Sequence, residues 1–323
     1  MQANLSQIVK EAFKTQAQDF NKLVEKATQL LSKENGKIGN QDVLGRLVRL
    51  KPYGEAVVVG DLHGDLESLV EIVKESNILQ RMEKTGALTI FLGDYGDRGV
   101  FSAEVYYAVL KLKLFFPEQV ILMRGNHEGP EDLLAKPHDL PDQFEAKFGP
   151  KWQEAYAKIR ELFNYLYTAV LVEERCLMVH GGFPFHASTV SDLAYAHVNH
   201  PKQRFLEDML WSDPSEDVQQ TSKSPRGAGK LFGKKTTKQM LSLFNVKFLI
   251  RGHESCEEGF KIDHDGKVLT LFSCKGQPYF NAYGAYLDFQ LSEKINNVHQ
   301  LVPCIHKFKE NSTIAFLRGR FGF

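Results

Sequence analysis

Apolar positions in the first 35 residues recur every three to four places: Leu5, Ile8, Val9, Ala12 and Phe13, then Phe20, Leu23, Val24, Ala27, Leu30 and Leu31. That period predicts one or two amphipathic helices closing near "ENGKIGN". A second short helix is expected over "QDVLGRLVRL", stopping before Pro52. From Glu55 the pattern changes. "EAVVVG", "ALTIFLG" and "QVILMRG" are short Val/Ile/Leu runs that read as strands, and "LESLVEIVKES" and "SAEVYYAVLKLKLFF" between them read as helices. Strands alternating with helices predict a β-α-β-α-β unit with a largely parallel core. Beyond it, residues 141–168 read as helical, "CLMVH", "KFLIRG" and "KVLTLFS" as strands, and "GAYLDFQL" as an antiparallel strand. Residues 212–235 are polar and turn-rich, which predicts a long functional loop rather than a linker.

Composition narrows the function classes. Of 323 residues, 43% are hydrophobic and 25% charged, the balance of a globular chain able to bury a large core. Forty Lys and Arg balance forty Asp and Glu, so no global field points to nucleic acid or an anionic membrane as partner. Cys176, Cys256, Cys274 and Cys304 form no CxxC pair, which fits a reducing compartment and gives neither a disulfide framework nor a zinc knuckle. No apolar run reaches a membrane span, and "MQANLSQIVKEAFK" lacks the apolar stretch of a signal peptide. A cytoplasmic location is the expectation.

The chemistry lies at strand ends. After "AVVV" comes "GDLHGD", with Asp61 and His63; after "TIFL" comes "GDYGDRG", with Asp94, Asp97 and Arg98. After "VILM" comes "RGNHE", with Arg124, Asn126, His127 and Glu128. His180 follows "CLMV", and Arg251 and His253 follow "KFLI". Any one of these tracts is ordinary turn chemistry. Five in series, each directly after an apolar run, converge on the crevice bordering the carboxyl ends of strands. An Asp/His/Asn set without cysteine suits Mn, Fe, Zn or Mg, and the donors are about enough for two ions. Asp94, after the middle strand of its set, is the natural shared carboxylate. The remaining histidines, His138, His186, His197, His200, His264, His299 and His306, lack strand-end context and read as surface or packing residues.

Lookalike motifs fail. "DHDGKV" does not continue into calcium-loop spacing and predicts a hairpin turn. "AGKLFGKK" lacks the first glycine, the Ser/Thr position and the preceding strand of a phosphate-binding loop. No cysteine carries an arginine at the spacing a thiolate phosphatase needs.

The ordered series GDLHG, GDYGDRG, RGNHE, HGG and RGHE, with "WSDP" at Trp211–Pro214, resembles the PPP family of metal-dependent Ser/Thr protein phosphatases across residues 38–290. The resemblance implies a calcineurin-like metallophosphoesterase fold, α/β of the α+β type: a central β-sandwich of mixed sheets flanked by helices. Residues 1–37 would be an N-terminal helical extension, 38–308 the catalytic domain and 309–323 a tail of unassigned role. One divalent ion would take Asp61, His63 and Asp94, the second Asp94, Asn126, His180 and His253. Manganese is the ion expected to serve the isolated protein, with iron or zinc as natural alternatives. A water bridging the ions would attack phosphoserine or phosphothreonine directly. His127 would be the general acid, Asp97 its orienting carboxylate, Arg98, Arg226 and Arg251 the phosphate contacts, and Asp213 and Glu128 supports behind them. Phosphoproteins would be the substrates, with a regulatory subunit as a possible partner. A dinucleoside polyphosphate hydrolase of the same fold, or a non-catalytic phosphoprotein-binding scaffold, are the alternatives. The chain departs from the family's usual pattern at Gly96, where an apolar side chain is common, and at "CKGQPYFNAYG", where Tyr279 is the nearest substitute for a tyrosine overhanging the site.

Overall fold

The computed structural model describes residues 3–309, so the tail from residue 310 lies outside the described residues. The chain opens with α1 (Leu5–Lys14) and α2 (Ala17–Lys33), followed by β1 (Gly36–Ile38), β2 (Gln41–Leu44), β3 (Leu47–Leu50) and β4 (Glu55–Val59). Next come α3 (Leu66–Glu75), α4 (Ile78–Thr85), β5 (Leu88–Phe91), α5 (Ser102–Phe115), β6 (Val120–Leu122), α6 (Leu140–Phe148) and α7 (Trp152–Phe163). Strands β7 (Ala169–Val172) and β8 (Cys176–Val179) precede the short helices α8 (Val190–Ala194), α9 (Ala196–Asn199) and α10 (Phe205–Trp211). The chain continues through β9 (Asp213–Pro214), β10 (Thr221–Lys223), β11 (Lys230–Phe232), α11 (Lys234–Leu243) and β12 (Phe248–Arg251). The last elements among the described residues are β13 (Phe260–Asp263), β14 (Val268–Leu271), β15 (Tyr283–Gln290) and β16 (Ile305–Lys309). No described helix is long and apolar enough to cross a membrane.

A five-stranded sheet runs β16-β15-β4-β5-β6 and an eight-stranded sheet runs β1-β2-β3-β7-β8-β12-β14-β13. Strands β4, β5 and β6 are mutually parallel, as are β8, β12 and β14, whereas β15 pairs antiparallel with β4 and β16. Period-two alternation explains how the sheets meet. In β7, Val170 and Val172 share one apolar cluster with Val57 and Ile90 of the other sheet. Ala169 and Leu171 point the other way, into a second cluster with Phe205, Met209 and Leu241. The result is a sandwich with helices outside, stitched at its ends by bridges between Asp61 and Phe272 and between Met123 and Tyr167.

Two expectations change here. "QDVLGRLVRL" is not a helix but the β2–β3 hairpin, with Leu44 opposite Leu47. Gly45 takes a φ of +57° at the first of two turn residues, the choice that suits a tight hairpin, and Val43, Leu47, Val48 and Leu50 are buried on the sheet. Residues 212–235 do not form a plain loop. They carry the three-stranded sheet β10-β11-β9, in which the β10–β11 hairpin holds Arg226 at its tip. Helices α4, α8, α9, α10 and α11 were not anticipated. The turn at "DHDGKV" does join antiparallel strands β13 and β14.

The helices α1 and α2 bury Ile8, Val9, Ala12, Phe20, Leu23, Val24, Ala27 and Leu31 in the main core. Phe20 meets Phe144 of α6 edge-on at 5.5 Å. Past the end of α2, Glu34 pairs with the fully buried Lys113 ammonium of α5 at 2.7 Å and accepts the Tyr167 hydroxyl at 2.5 Å.

Candidate active site

The ends of β4, β5, β6, β8 and β12 deliver Asp61 and His63, Asp94, Asn126 and His127, His180 and His253 to one place. Five site residues hold left-handed backbone: His63, Asp94, Asp97, Arg98 and His253, with φ of 44°, 53°, 70°, 76° and 72°. Such conformations are costly for residues with a Cβ and persist where surrounding bonds fix them. Glu128 supplies several of those bonds. Its carboxylate accepts the N–H groups of Asp94, Tyr95 and Gly125 at 2.8, 3.0 and 3.0 Å and the Tyr106 hydroxyl at 2.7 Å. Gly125 allows the approach, since a Cβ there would stand 2.0 Å from Asp94 Oδ1.

Among the described residues, two groups could each hold a cation. The ligand atoms of His63, Asp94 and His127 lie within 4.8 Å of one another, and so do those of Asp94, His180 and His253. Asp94 is common to both. Asp61 falls just outside the first group: both its oxygens accept the His253 N–H at 3.0 Å, and Oδ2 is 3.7 Å from His63 Nε2. The donor chemistry fits divalent ions. His180 donates Nδ1–H to the Leu92 carbonyl at 3.0 Å, which turns Nε2 toward Asn126 Oδ1 at 2.9 Å and Asp94 Oδ2 at 3.4 Å. Without a cation that nitrogen needs a second proton; burial opposes it, but Asp94 and Asp61 push the His180 pKa up to about 9. Burial drives the His63 pKa down to about 3 and that of His253 well below its ordinary value, leaving neutral imidazoles of the ligating form. Among the described residues, the buried His253 Nε2 has no hydrogen-bond partner.

His127 has a different attachment. Its Nδ1 lies 2.6 Å from Asp97 Oδ2, its ring packs edge-on against His63 at 4.8 Å, and its backbone N–H donates to Asp94 Oδ1 at 3.0 Å. Burial works against its charge, but Asp94 and Asp97 outweigh this and raise its pKa. Burial also disfavours charge on Asp97, yet the bonds from His127, His138 and Asp139 hold it ionised, well below the ordinary carboxylate range.

These groups open on a cavity of about 700 Å³ lined by His63, Asp94, Arg98, Asn126, His127, Trp211, Arg226, His253 and Tyr279, among others. Arg226 gives Nε to Asp213 Oδ2 at 2.6 Å; among the described residues its terminal nitrogens have no protein hydrogen bond. Arg98 lines the same space and reaches the Lys136 carbonyl at 3.4 Å. Arg251 does not line it. That guanidinium is 0% exposed and bonds to the Gly181 carbonyl, Glu254 and Asp213, so it braces Asp213 from behind instead of meeting phosphate. Arg124 is likewise buried, on the Glu128 carbonyl at 2.7 Å. Tyr279 sits at the mouth with its ring 4.9 Å from His63 and 5.0 Å from Phe272. The residue missed from sequence is His138, read as packing: its Nδ1 lies 2.8 Å from Asp97 Oδ2. Its only sequence signal was a neighbouring aspartate, too common to single it out.

A sandwich whose strand ends place one carboxylate in two groups that could each hold a cation is the arrangement a metallophosphoesterase needs, and the comparisons assign the chain to that class. The calcineurin-like phosphoesterase model matches residues 56–257. The serine/threonine-protein phosphatase 6 catalytic subunit of Drosophila melanogaster is 30% identical over 288 residues, covering 85% of this chain and 90% of the relative. A probable serine/threonine-protein phosphatase of Encephalitozoon cuniculi is 31% identical over 253 residues, 77% of this chain; the chain spans about half of that relative, 53%. A solved Saccharomyces cerevisiae serine/threonine phosphatase with similarity to human PP5 shares the fold, at a TM-score of 0.74, 23% identity, and coverage of 92% of this chain and 91% of that one. The chain belongs to the calcineurin-like phosphoesterases and, within them, to the serine/threonine protein phosphatases.

Proposed function

We propose that the chain hydrolyses phosphoserine and phosphothreonine in proteins with two divalent cations and with His127 as general acid. The observation that carries this is the fixing of His127 Nδ1 on Asp97 at 2.6 Å beside the paired cation-binding groups. With Nδ1 so held, Nε2 is the nitrogen left to give a proton into the cavity. A serine or threonine alkoxide is a poor leaving group, so a positioned donor contributes about 10²–10⁴ in rate. Asp61, His63, Asp94, Asn126, His180 and His253 would hold the cations, manganese in the isolated protein and iron or zinc as natural alternatives. When bound, such ions activate water and neutralise phosphate charge. Arg98 and the terminal nitrogens of Arg226 would bind phosphate oxygens, with Asp213 aiming Arg226 through its Nε. The Drosophila relative is named a catalytic subunit, so a regulatory partner belongs to the same proposal. A cytoplasmic location belongs to it on other grounds, the four scattered cysteines that suit a reducing compartment.

The test is turnover of the manganese-loaded protein on phosphoserine and phosphothreonine peptides beside diadenosine tetraphosphate. Peptide turnover is the expected outcome; turnover confined to the dinucleotide would replace this reading, and none on any substrate would favour a binding scaffold.

A further inference from the structure

Asp97 has more partners than one histidine. Oδ2 accepts from His127 Nδ1 at 2.6 Å and from His138 Nδ1 at 2.8 Å, while Oδ1 accepts the backbone N–H of Asp139 at 2.8 Å and of Arg98 at 3.2 Å. A carboxylate offers about four lone-pair sites, and here four donors meet them. Two of the four come from the dipeptide His138–Asp139 that leads into α6, 41 residues beyond the turn it grips. The same segment holds Arg98: Asp139 Oδ1 accepts its N–H at 2.8 Å and the Lys136 carbonyl accepts its guanidinium at 3.4 Å. His138 is itself pinned, because its Nε2 lies 2.9 Å from the hydroxyl of Tyr156 on α7. Since Nδ1 faces an ionised carboxylate, it carries the hydrogen, and Nε2 accepts from Tyr156. Tyr156 is set in turn by ring contacts with Trp152 and Phe144, at 6.2 and 6.1 Å.

We infer that His138, held by Tyr156, is a positioning residue for the acid step: it fixes the Asp97 carboxylate and thereby aims the His127 imidazole at the leaving group. Carboxylate torsions are broad and nearly two-fold, so without the His138 donor Oδ2 is held by His127 alone and can pivot about the Oδ1 anchor, loosening the aim of His127 Nδ1. The neighbouring bonds through Oδ1 are backbone bonds, which no single side-chain change removes. This inference rests on the proposed general-acid role of His127.

The readout is the ratio of kcat on a phosphoserine peptide, whose leaving group needs a proton, to kcat on 4-nitrophenyl phosphate, whose leaving group does not. A merely structural residue lowers both together and leaves the ratio alone. His138→Ala is expected to lower the ratio about tenfold or more, at unchanged metal content. His138→Asn, whose amide N–H can stand in for Nδ1–H, should return it to within about threefold of the unaltered protein. Tyr156→Phe should move it the same way by less, and carries the test if His138→Ala does not fold. A ratio unchanged in His138→Ala, or in Tyr156→Phe should that be the folded variant, overturns the inference. So does a failure of His138→Asn to rescue a lowered ratio. His127→Asn separates the two claims: if it lowers the ratio and His138→Ala does not, only the positioning role falls. If His127→Asn leaves the ratio intact, both fall.

Discussion

At the scale of single residues, Gly96 is set by space. A Cβ there would stand 2.6 Å from the Tyr106 ring and 3.0 Å from the Ser102 Cβ, and its φ is not in the left-handed range. Tyr106 occupies that room because its hydroxyl is needed 2.7 Å from Glu128, the carboxylate that ties the Asp94 and Gly125 turns together. Gly96→Ala should therefore cost about 1–3 kcal/mol, read as a lowered denaturation midpoint, and most of that cost should vanish in a Tyr106→Leu background. An equal cost in both backgrounds would mean that backbone freedom matters and the ring does not. Asp61, Asp94, Asn126, His180 and His253 were legible in the sequence because each follows an apolar run directly. His138 was not, since its partner Asp97 lies 41 residues away and only the packing of α6 and α7 brings them together. Arg251 was misread for a related reason. A strand-end arginine facing the cavity and one turned behind it look alike until Asp213 and Glu254 are seen to flank it.

Among the elements, β4, β5, β6, β8, β12, β14 and β15 and the helices α3 and α5 followed from periodicity, whereas the buried β7, the helix α4 and the β2–β3 hairpin did not. Its ten residues are too short for a period to decide, and Gly45 acquires meaning only once β3 is paired with β7. The N-terminal helices were legible as amphipathic, but their tether was not. Lys113 is 0% exposed, with Glu34 at 2.7 Å and the carbonyls of Pro117 and Val120 at 2.8 and 3.0 Å. Burial lowers the Lys113 pKa, with Glu34 opposing that shift, so the ammonium depends on its carboxylate. Glu34→Ala should destabilise by about 3–5 kcal/mol in urea unfolding, while Glu34→Gln with Lys113→Met should recover much of it. A Glu34→Ala cost below about 1 kcal/mol would show that the pair does not fasten α2 to α5.

Across the whole molecule, the proposed cation ligands come from both sheets of the sandwich. Asp61, His63, Asp94 and Asn126 follow β4, β5 and β6, and His180 and His253 follow β8 and β12. Bound ions should thus clamp the two sheets as well as serve chemistry. Removing them with a chelator should lower stability by about 2.7 kcal/mol per site where free ion stood a hundredfold above Kd, and lower Tm by about 5 °C or more. Restoring manganese should reverse the change; a Tm indifferent to chelator would argue against ligands shared across the sheets. The most direct measurement concerns His127, which distance alone groups with His63 and Asp94 while Asp97 holds its Nδ1. In His127→Asn, kcat on a phosphoserine peptide and the metal content per chain are measured together. Expected is a fall in kcat of about 10²–10⁴ with both ions retained. Loss of an ion alongside activity would make His127 a ligand, and an unaltered kcat would contradict the general-acid role outright.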